Sequence, residues 1–264
     1  MIFETHAHYD DAKFDEDREE LLEKVHNSGV NPIINVGASI NSTKQTLELA
    51  KNHDYIYAAV GVHPSDIADL NEETFAWLKE QTKYEKTIAI GEIGLDYYWD
   101  KEAEVQEKQR YWFKRQLDLA RETNLPIIIH SRDAAEDTMK VMKEAKAHEL
   151  KGVVHCYSYS KEIAQEFIKM GYYIGVGGVV TFKNARKLVE TVEAITLDRI
   201  LLETDCPYMA PEPNRGKRND SSNIQYVIKK IAEIKGISEE EVEKVTEHNA
   251  YTLFTKIKNN DINL

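Results

Sequence analysis

The sequence predicts an α/β fold in which eight parallel strands alternate with helices and close into a TIM-type (β/α)8 barrel. Short apolar runs rich in Ile, Val and Tyr alternate with longer amphipathic segments, which is typical of repeated β-α units. Eight such runs can be counted, and eight strands close a barrel of this type. The length of 264 residues is close to the roughly 250 residues of such barrels, so we expect residues 1–264 to form one domain.

The predicted strands are short, β-branched or aromatic segments bounded by polar or turn-forming residues. In chain order they are Ile2–His8, Pro32–Ala38, Tyr55–His63, Thr87–Asp96, Pro126–Ser131, Gly152–Tyr157, Tyr172–Gly177 and Arg199–Asp205.

The predicted helices occupy the segments between these strands, where apolar residues recur at helical spacing. They are Asp15–Asn27, Ser42–Asn52, Glu72–Gln81, Glu102–Thr123, Ala134–His148, Lys161–Met170, Ala185–Ala194 and Ser222–Lys235. Gly171 and Gly236 stand where C-terminal caps are expected. A last helix is expected to start at Ser238, because Ser238 and Glu241 have the spacing of a capping box.

Polar side chains fall at or near the carboxyl ends of six different predicted strands, and active sites of such barrels lie on that face. These residues are His8, His63, Glu92, His130, His155 and Asp205. Any one of them could be a satisfied polar group at the barrel mouth, but six strands in agreement favour a shared site. His26, His53 and His148 fall on helices or helix ends, and we interpret them as surface residues.

His6 and His8 form a pair of candidate metal ligands at the start of the chain. Side chains two residues apart on a strand point to the same face, and imidazole is a common ligand of transition metals. The same barrel face offers two further imidazoles and two carboxylates, at His130, His155, Glu92 and Asp205. This set exceeds what one tetrahedral ion needs, so we predict two divalent ions per chain.

Glu92 is the predicted bridge between the two ions, since a carboxylate can span ions about 3.5–4 Å apart. Glycines at Gly91 and Gly94 would allow the backbone to approach closely. Asp205 is expected to act as a metal ligand, as the general base that positions the attacking water, or as both in turn. Glu203, two residues earlier on the same strand, is interpreted as a supporting residue of the barrel interior.

A basic loop follows Asp205 and contains Arg215, Lys217 and Arg218. Arginine forks and lysine point charges suit phosphate oxygens, although such a loop could also be merely solvated. Arg132 is a further candidate for substrate contact. His63 could bind phosphate, or it could have only a structural role in closing the loop before Pro64. We therefore predict His63, Arg132 and the three residues of this loop as substrate-binding residues.

The composition limits the classes of function. A formal net charge of −12 argues against broad attraction to nucleic acid, so any polyanionic substrate must be held locally. The sequence lacks an apolar run of the roughly 20 residues that span a bilayer, and we expect no signal peptide, because the first predicted strand starts at Ile2. Cys156 and Cys206 are interpreted as small buried thiols rather than a disulfide. We expect a soluble, cytoplasmic protein without an obligate protein partner.

Seven motifs carry a resemblance to a known family. They are His6-Ala7-His8, Gly61 to Pro64, Gly91 to Tyr97, Pro126 to Asp133, Val154 to Cys156, Leu202 to Tyr208 and Arg215 to Asn219. Together, and in this order over nearly the whole chain, they resemble the TatD family of metal-dependent deoxyribonucleases.

The resemblance implies a distorted, amidohydrolase-like barrel that hydrolyses phosphodiester bonds of DNA, with 3′ exonuclease action as the usual activity. It also implies two metal sites that share one carboxylate. The first has the ligands His6, His8, Glu92 and Asp205, and the second has the ligands Glu92, His130 and His155. The family commonly has Asp where this chain has Glu4, and Glu-Pro where this chain has Asp220-Ser221.

Three functions remain open at the level of sequence. The leading hypothesis is a DNA exonuclease on single-stranded ends, and the second is a metal-dependent amidohydrolase or esterase acting on a small molecule or an aminoacyl-nucleic acid. The third is a non-enzymatic scaffold stabilised by metal. Histidine-rich ligation favours Zn²⁺ or Mn²⁺, whereas phosphodiester chemistry and the habit of the family favour Mg²⁺.

Overall fold

Eight parallel strands form one sheet in which neighbours along the chain are also neighbours in space. The computed structural model describes residues 1–258, and residues 259–264 of the predicted domain lie outside the described residues. The strands are β1 (Ile2–Ala7), β2 (Val30–Val36), β3 (Ile56–Val60), β4 (Thr87–Asp96), β5 (Ile127–Arg132), β6 (Gly152–Val154), β7 (Tyr173–Val176) and β8 (Ile200–Leu202). The eight predicted strands are thus confirmed, with their ends moved by a few residues.

The sheet closes into a barrel just beyond the carboxyl end of β8. The His8 N–H donates to the Cys206 carbonyl at 2.8 Å, and the Asp205 N–H donates to the His6 carbonyl at 2.9 Å. Ala7 and Cys206 form an isolated parallel bridge between these segments. The closure therefore brings the His6 and His8 end of the chain against the segment that carries Asp205.

The barrel is distorted where β1 and β4 pair with their neighbours. The register shifts between Ile2 and Ala7 on β1, and again between Ile90 and Ile93 where β4 pairs with β5. Such irregularities bend a strand and change the direction in which its side chains point. The second shift encloses Glu92, so the distorted geometry expected from the sequence occurs at a candidate ligand.

Helices connect the strands and cover the outside of the barrel. They are α1 (Arg18–Asn27), α2 (Ile40–Asn52), α3 (Glu72–Gln81), α4 (Ala103–Thr123), α5 (Ala135–Glu144), α6 (Lys161–Lys169), α7 (Arg186–Ala194), α8 (Ile224–Lys235) and α9 (Glu239–Leu253). The predicted caps are present on α8 and α9. Gly236 adopts a left-handed φ of 67° after α8, and the Ser238 hydroxyl accepts a hydrogen bond from the Glu241 N–H at 3.1 Å.

Two predicted helices are shorter than expected. The helix expected over 15–27 begins at Arg18, because Asp17 leaves helical geometry with a φ of −139° and Ala12–Phe14 forms a separate 3-10 turn. The helix expected over 134–148 ends at Glu144, because Lys146 has a left-handed φ of 51°. A short 3-10 turn then covers Ala147–Glu149.

An apolar layer fills the barrel interior below the mouth, and the end of α9 packs against it. Phe254 is fully buried, and its ring stacks on Phe3 of β1 with centroids 6.0 Å apart. Leu253 and Ile257 belong to the same apolar cluster. Because Phe3 lies near the start of β1, the end of α9 closes the face opposite the predicted active site.

Two histidines interpreted as surface residues are partly buried instead. The His26 ring stacks on Tyr55 with centroids 4.0 Å apart, and His53 lies 3.3 Å from a Glu19 carboxylate oxygen. The first contact joins the end of α1 to the residue before β3, and the second joins the end of α2 to the first turn of α1, and a helical wheel shows neither. His148 is exposed as expected. Within residues 1–258, none of the helices is long and apolar enough to cross a membrane.

Candidate metal centre and active site

A cleft of about 1000 Å³ opens at the carboxyl ends of the strands. Its lining includes every residue that the strand-end analysis selected, namely His8, His63, Glu92, His130, His155 and Asp205. His6 lies behind them and is fully buried. The barrel thus brings together side chains as far apart in the chain as His8 and Asp205, because each lies within or just after a strand that ends at the same rim.

Glu92 is buried at the centre of the cluster, and its two carboxylate oxygens face different histidines. Oε1 lies 2.7 Å from His130 Nδ1 and 2.6 Å from His155 Nε2. Oε2 lies 3.5 Å from His6 Nε2 and 3.6 Å from His8 Nε2. Each carboxylate oxygen therefore faces its own pair of imidazoles, while the rings of His6 and His155 also stack on each other with centroids 3.9 Å apart.

Asp205 belongs to the pair on the Oε2 side. Its Oδ1 lies 3.4 Å from His8 Nε2 and 3.8 Å from His6 Nε2, and these two ring nitrogens are 3.0 Å apart. The ligand atoms of this group all lie within 4.8 Å of one another. Asp205 adopts a left-handed φ of 55°, a conformation that few non-glycine residues take. This backbone turn follows β8 and accompanies the closing hydrogen bond to β1.

His8 and His130 each make a hydrogen bond through the ring nitrogen that points away from the cluster. In the neutral imidazole, the other nitrogen, which faces the carboxylates, therefore carries no proton. His8 Nδ1 lies 2.8 Å from the Val36 carbonyl, which can only accept, so Nδ1 carries the proton and Nε2 presents a lone pair. His130 Nε2 likewise lies 3.0 Å from Asp96 Oδ2, so its Nδ1 presents a lone pair toward Glu92. Lone pairs that converge on carboxylates in this way suit a bound cation.

The charge distribution favours a cation at the same position. Burial acts against protonation of His8 and His155, but Asp205 and Glu92 raise the pKa of His8 to about 10, and Glu92 raises the pKa of His155 to about 9. Burial also acts against ionisation of Glu92 and Asp205, yet the surrounding imidazoles hold the pKa of both carboxyls below their ordinary values. The donor set therefore fits divalent metal ions.

His63 has the opposite tautomer from the candidate ligands. Its Nδ1 accepts the Ser65 N–H at 3.1 Å, so the neutral ring carries its proton on Nε2, which lies 3.7 Å from Glu92 Oε1. Burial and the nearby His130 lower the pKa of His63 to about 3. The ring is thus a neutral hydrogen-bond donor at the edge of the metal centre, although its position alone would also allow ligation.

Asp96 has a role that the sequence did not reveal. Its Oδ2 holds His130, while its Oδ1 accepts the N–H groups of Tyr98 and Trp99 at 2.9 and 3.1 Å. Asp96 was noted only as part of the motif from Gly91 to Tyr97. A usable signal was its position four residues after Glu92 on β4, since residues separated by an even number share one face of a strand.

Two buried glutamates support the centre from inside the barrel. Glu4 accepts hydrogen bonds from the His6 N–H at 3.1 Å and from the Thr204 N–H at 2.9 Å, which ties β1 to the segment after β8. Burial raises the pKa of Glu4 to about 7.

Glu203 is the second buried glutamate beside the centre. It accepts the Cys156 N–H, and burial raises the pKa of Glu203 to about 8. Glycine is required at Gly175, because a Cβ there would lie 2.4 Å from Glu203 Oε2.

The structure brings only part of the predicted substrate-binding set to the cleft. His63, Arg132 and Arg215 line it, whereas Lys217 and Arg218 are not among the described lining residues. Arg218 instead forms a two-pronged ion pair with Asp17, with distances of 2.7 and 2.5 Å. Lys217 is exposed beyond Gly216, whose left-handed φ of 86° turns the chain away.

Comparison with known proteins identifies the family. A family model described as TatD related DNase matches residues 3–255. The chain belongs to the TatD family of metal-dependent hydrolases. This TatD-family chain is 46% identical over 254 residues to the uncharacterized metal-dependent hydrolase YabD of Bacillus subtilis strain 168, a match that covers 96% of this chain and 99% of YabD.

Solved structures agree with this assignment. The TatD homologue YjjV of Escherichia coli K12 superimposes with a TM-score of 0.90 and 31% identity, covering 96% of this TatD-family chain and 98% of YjjV. The phosphotriesterase homology protein of E. coli, complexed with phosphate in its active site, gives a TM-score of 0.70 at 15% identity and covers 96% and 98% of the two chains. The second likeness shows the fold alone, and both confirm the TIM-type (β/α)8 barrel.

Proposed function

We propose that this TatD-family chain is a deoxyribonuclease that uses two divalent metal ions to hydrolyse phosphodiester bonds, removing nucleotides from the 3′ ends of single-stranded DNA. The observation that carries the proposal is the division of ligands by Glu92. One of its oxygens faces His130 and His155, and the other faces His6 and His8. A bridging carboxylate between paired ions is the arrangement used for in-line displacement at phosphorus.

The ligands proposed for the first ion are His6, His8, Glu92 and Asp205, and those for the second are Glu92, His130 and His155. The mixture of imidazoles and carboxylates is compatible with Zn²⁺, Mn²⁺ or Mg²⁺, and phosphodiester chemistry favours Mg²⁺ or Mn²⁺ in the working enzyme. Divalent ions in such a centre supply Lewis-acid catalysis and make water an effective nucleophile at neutral pH.

The protein's own groups would bind the substrate and move the proton. Asp205 lines the cleft as an ionised carboxylate, so it can orient the attacking water and accept its proton. The proposed phosphate contacts are Arg132, Arg215 and the Nε2 proton of His63, because all three side chains line the same cleft. Lys217 and Arg218 are left out of the proposal because of their positions.

Local binding of DNA ends agrees with the charge of the chain. A net charge of −12 repels long polyanions, so the substrate contacts are confined to a cleft that holds cationic and metal-binding groups. A cytoplasmic location is proposed because Cys156 and Cys206 are both free thiols, as is usual in a reducing compartment.

The replacement Asp205→Asn tests the proposed chemistry. The amide keeps the size of the side chain but cannot accept a proton, so we expect kcat on single-stranded DNA to fall by about 10²–10⁴-fold. Asp198→Asn, on an exposed residue far from the cleft, serves as the matched control and should retain full turnover. Circular dichroism and thermal unfolding verify that both variants fold. Unchanged turnover of the Asp205 variant would remove Asp205 from the mechanism.

A matrix of metals and substrates tests the reaction type. The metal-stripped protein is reloaded with Mg²⁺, Mn²⁺ or Zn²⁺ and incubated with end-labelled single-stranded oligonucleotides and with panels of amides and esters. We expect a ladder of strands shortened from the 3′ end. Cleavage of amides or esters without shortened strands would favour the amidohydrolase alternative instead. Unfolding on chelation without any hydrolysis would favour the scaffold alternative.

A further inference from the structure

Two adjacent aromatic side chains stand exposed at the rim of the cleft. Tyr98 and Trp99 follow directly after β4, line the cleft and are 43% and 67% exposed. Exposed aromatic residues are ordinary when they are scattered singly, but a contiguous pair beside a catalytic cleft indicates a binding surface. The metal ligands do not contact these rings in any described interaction, so the proposed hydrolysis leaves the pair without a role.

The backbone of the pair is held by the residue that also orients a proposed metal ligand. Asp96 Oδ1 accepts the Tyr98 and Trp99 N–H groups, and Asp96 Oδ2 holds His130 Nε2 at 3.0 Å. The two aromatic rings pack edge to face, with centroids 4.7 Å apart and an interplanar angle of 87°. The backbone that carries the indole is therefore anchored beside the metal centre, and the indole itself packs against Tyr98.

Arg132 places a positive charge beside the pair. Its guanidinium carbon lies 3.9 Å from the centre of the Tyr98 ring and 5.5 Å from that of the Trp99 ring. Arg132 ends β5, two residues after His130, and lines the same cleft. An aromatic surface next to a cation is the combination with which proteins bind single-stranded nucleic acid, since bases stack on the rings and phosphates pair with the charge.

We propose that Trp99 stacks on a nucleobase of the substrate, in the nucleotide next to the phosphate that is hydrolysed. This inference rests on the proposed nuclease function and adds the group that holds the base. Arg132 covers Tyr98, which supports the indole, while the more exposed Trp99 offers its surface to the ligand. A base inside a duplex is stacked on both faces, so the surface selects single-stranded or frayed ends.

Kinetics of Trp99→Ala test the inference. Loss of base stacking weakens substrate binding, so we expect KM on a single-stranded oligonucleotide to rise by about 5- to 100-fold with a much smaller change in kcat. Trp99→Phe keeps an aromatic surface and should restore most of the affinity. The matched control is Tyr111→Ala, which removes another exposed aromatic side chain near an arginine but outside the cleft lining, and its KM should stay at the wild-type value.

An oligonucleotide with abasic sites at its last two 3′ positions separates stacking from a structural effect. Wild-type protein should lose affinity for this substrate, whereas Trp99→Ala should bind it as well as it binds the normal strand. A merely structural role of Trp99 would weaken binding of both substrates equally, and that result would overturn the inference. Equal metal content in all variants verifies that the metal centre is intact.

The inference and the proposed function fail in different ways. If the wild type shortens DNA but Trp99→Ala has the wild-type KM on both substrates, the stacking role is wrong and the nuclease function stands. If the wild type cleaves no phosphodiester under any metal, both are wrong. If it cleaves DNA and the loss of affinity depends on the base, both are supported.

Discussion

At the scale of single residues, the site depends on which atom of each ring carries the proton. His8 and His130 are oriented by acceptors on their outer sides, the Val36 carbonyl and the Asp96 carboxylate, and so present lone pairs inward. His63 accepts a backbone N–H instead and presents a proton. The same residue type thus presents an inward lone pair at two positions, as a metal ligand must, and a hydrogen-bond donor at a third, and neighbouring groups decide between these forms.

The replacement Asp96→Asn tests this dependence. An amide cannot accept from His130 and from the Tyr98 and Trp99 N–H groups at once, because one of its two polar atoms is a donor. We expect a loss of about 10–100-fold in metal affinity or activity, measured by metal titration followed by steady-state kinetics. The control Asp118→Asn, on an exposed residue of α4, should match the wild type. Wild-type metal affinity in the Asp96 variant would show that His130 needs no such orientation.

Residues whose roles depend on neighbours are also those that sequence reasoning missed. That the six strand-end residues share one cleft could be predicted, because they lie at or near the ends of recognisable strands that all point to one face. Asp96 could not be assigned, because its importance arises from the contact with His130 on the adjacent strand β5. Arg218 was predicted to bind substrate, but its pairing with Asp17 across 201 positions leaves no trace in the local sequence.

At the scale of elements, the strands and most helices follow from periodicity alone, since the apolar runs and helical faces are long enough to be distinguished. The residues at which helices and strands end are harder to predict, because they depend on backbone conformations that the sequence does not show. Lys146 and Asp205 both adopt left-handed φ values although neither is glycine. Lys146 ends a helix early, and Asp205 turns its carboxylate toward His6 and His8.

Helix α9 makes the clearest element-scale contribution to stability. Phe254 at its end is fully buried and stacks on Phe3, so Phe254→Ala removes a large side chain from the apolar layer that closes the barrel floor. We expect the free energy of unfolding to fall by about 3–5 kcal/mol, measured by urea denaturation. The surface replacement Lys229→Ala, on the exposed side of α8, should change it by less than about 0.5 kcal/mol. An equally small change for Phe254 would mean that α9 does not close the floor.

At the scale of the whole molecule, the barrel separates stability from chemistry. The apolar layer and α9 occupy the amino-terminal face, while the polar cluster, the cleft and the aromatic pair occupy the carboxyl-terminal face. The order of β1 to β8 around the sheet could be predicted because the crossovers between parallel strands are almost always right-handed, which places consecutive strands side by side. The distortions of β1 and β4 could not, since register shifts depend on packing between strands.

The proposed function depends above all on Glu92 as a bridge between two metal ions. The most direct measurement is a crystal structure of the protein loaded with Mn²⁺, with data collected for anomalous scattering. Two anomalous peaks about 3.5–4 Å apart are expected, each in contact with a different oxygen of Glu92. One peak should lie among His6, His8 and Asp205, and the other should lie beside His130 and His155. A single peak in a fully loaded crystal, or two peaks that do not share Glu92, would contradict the claim.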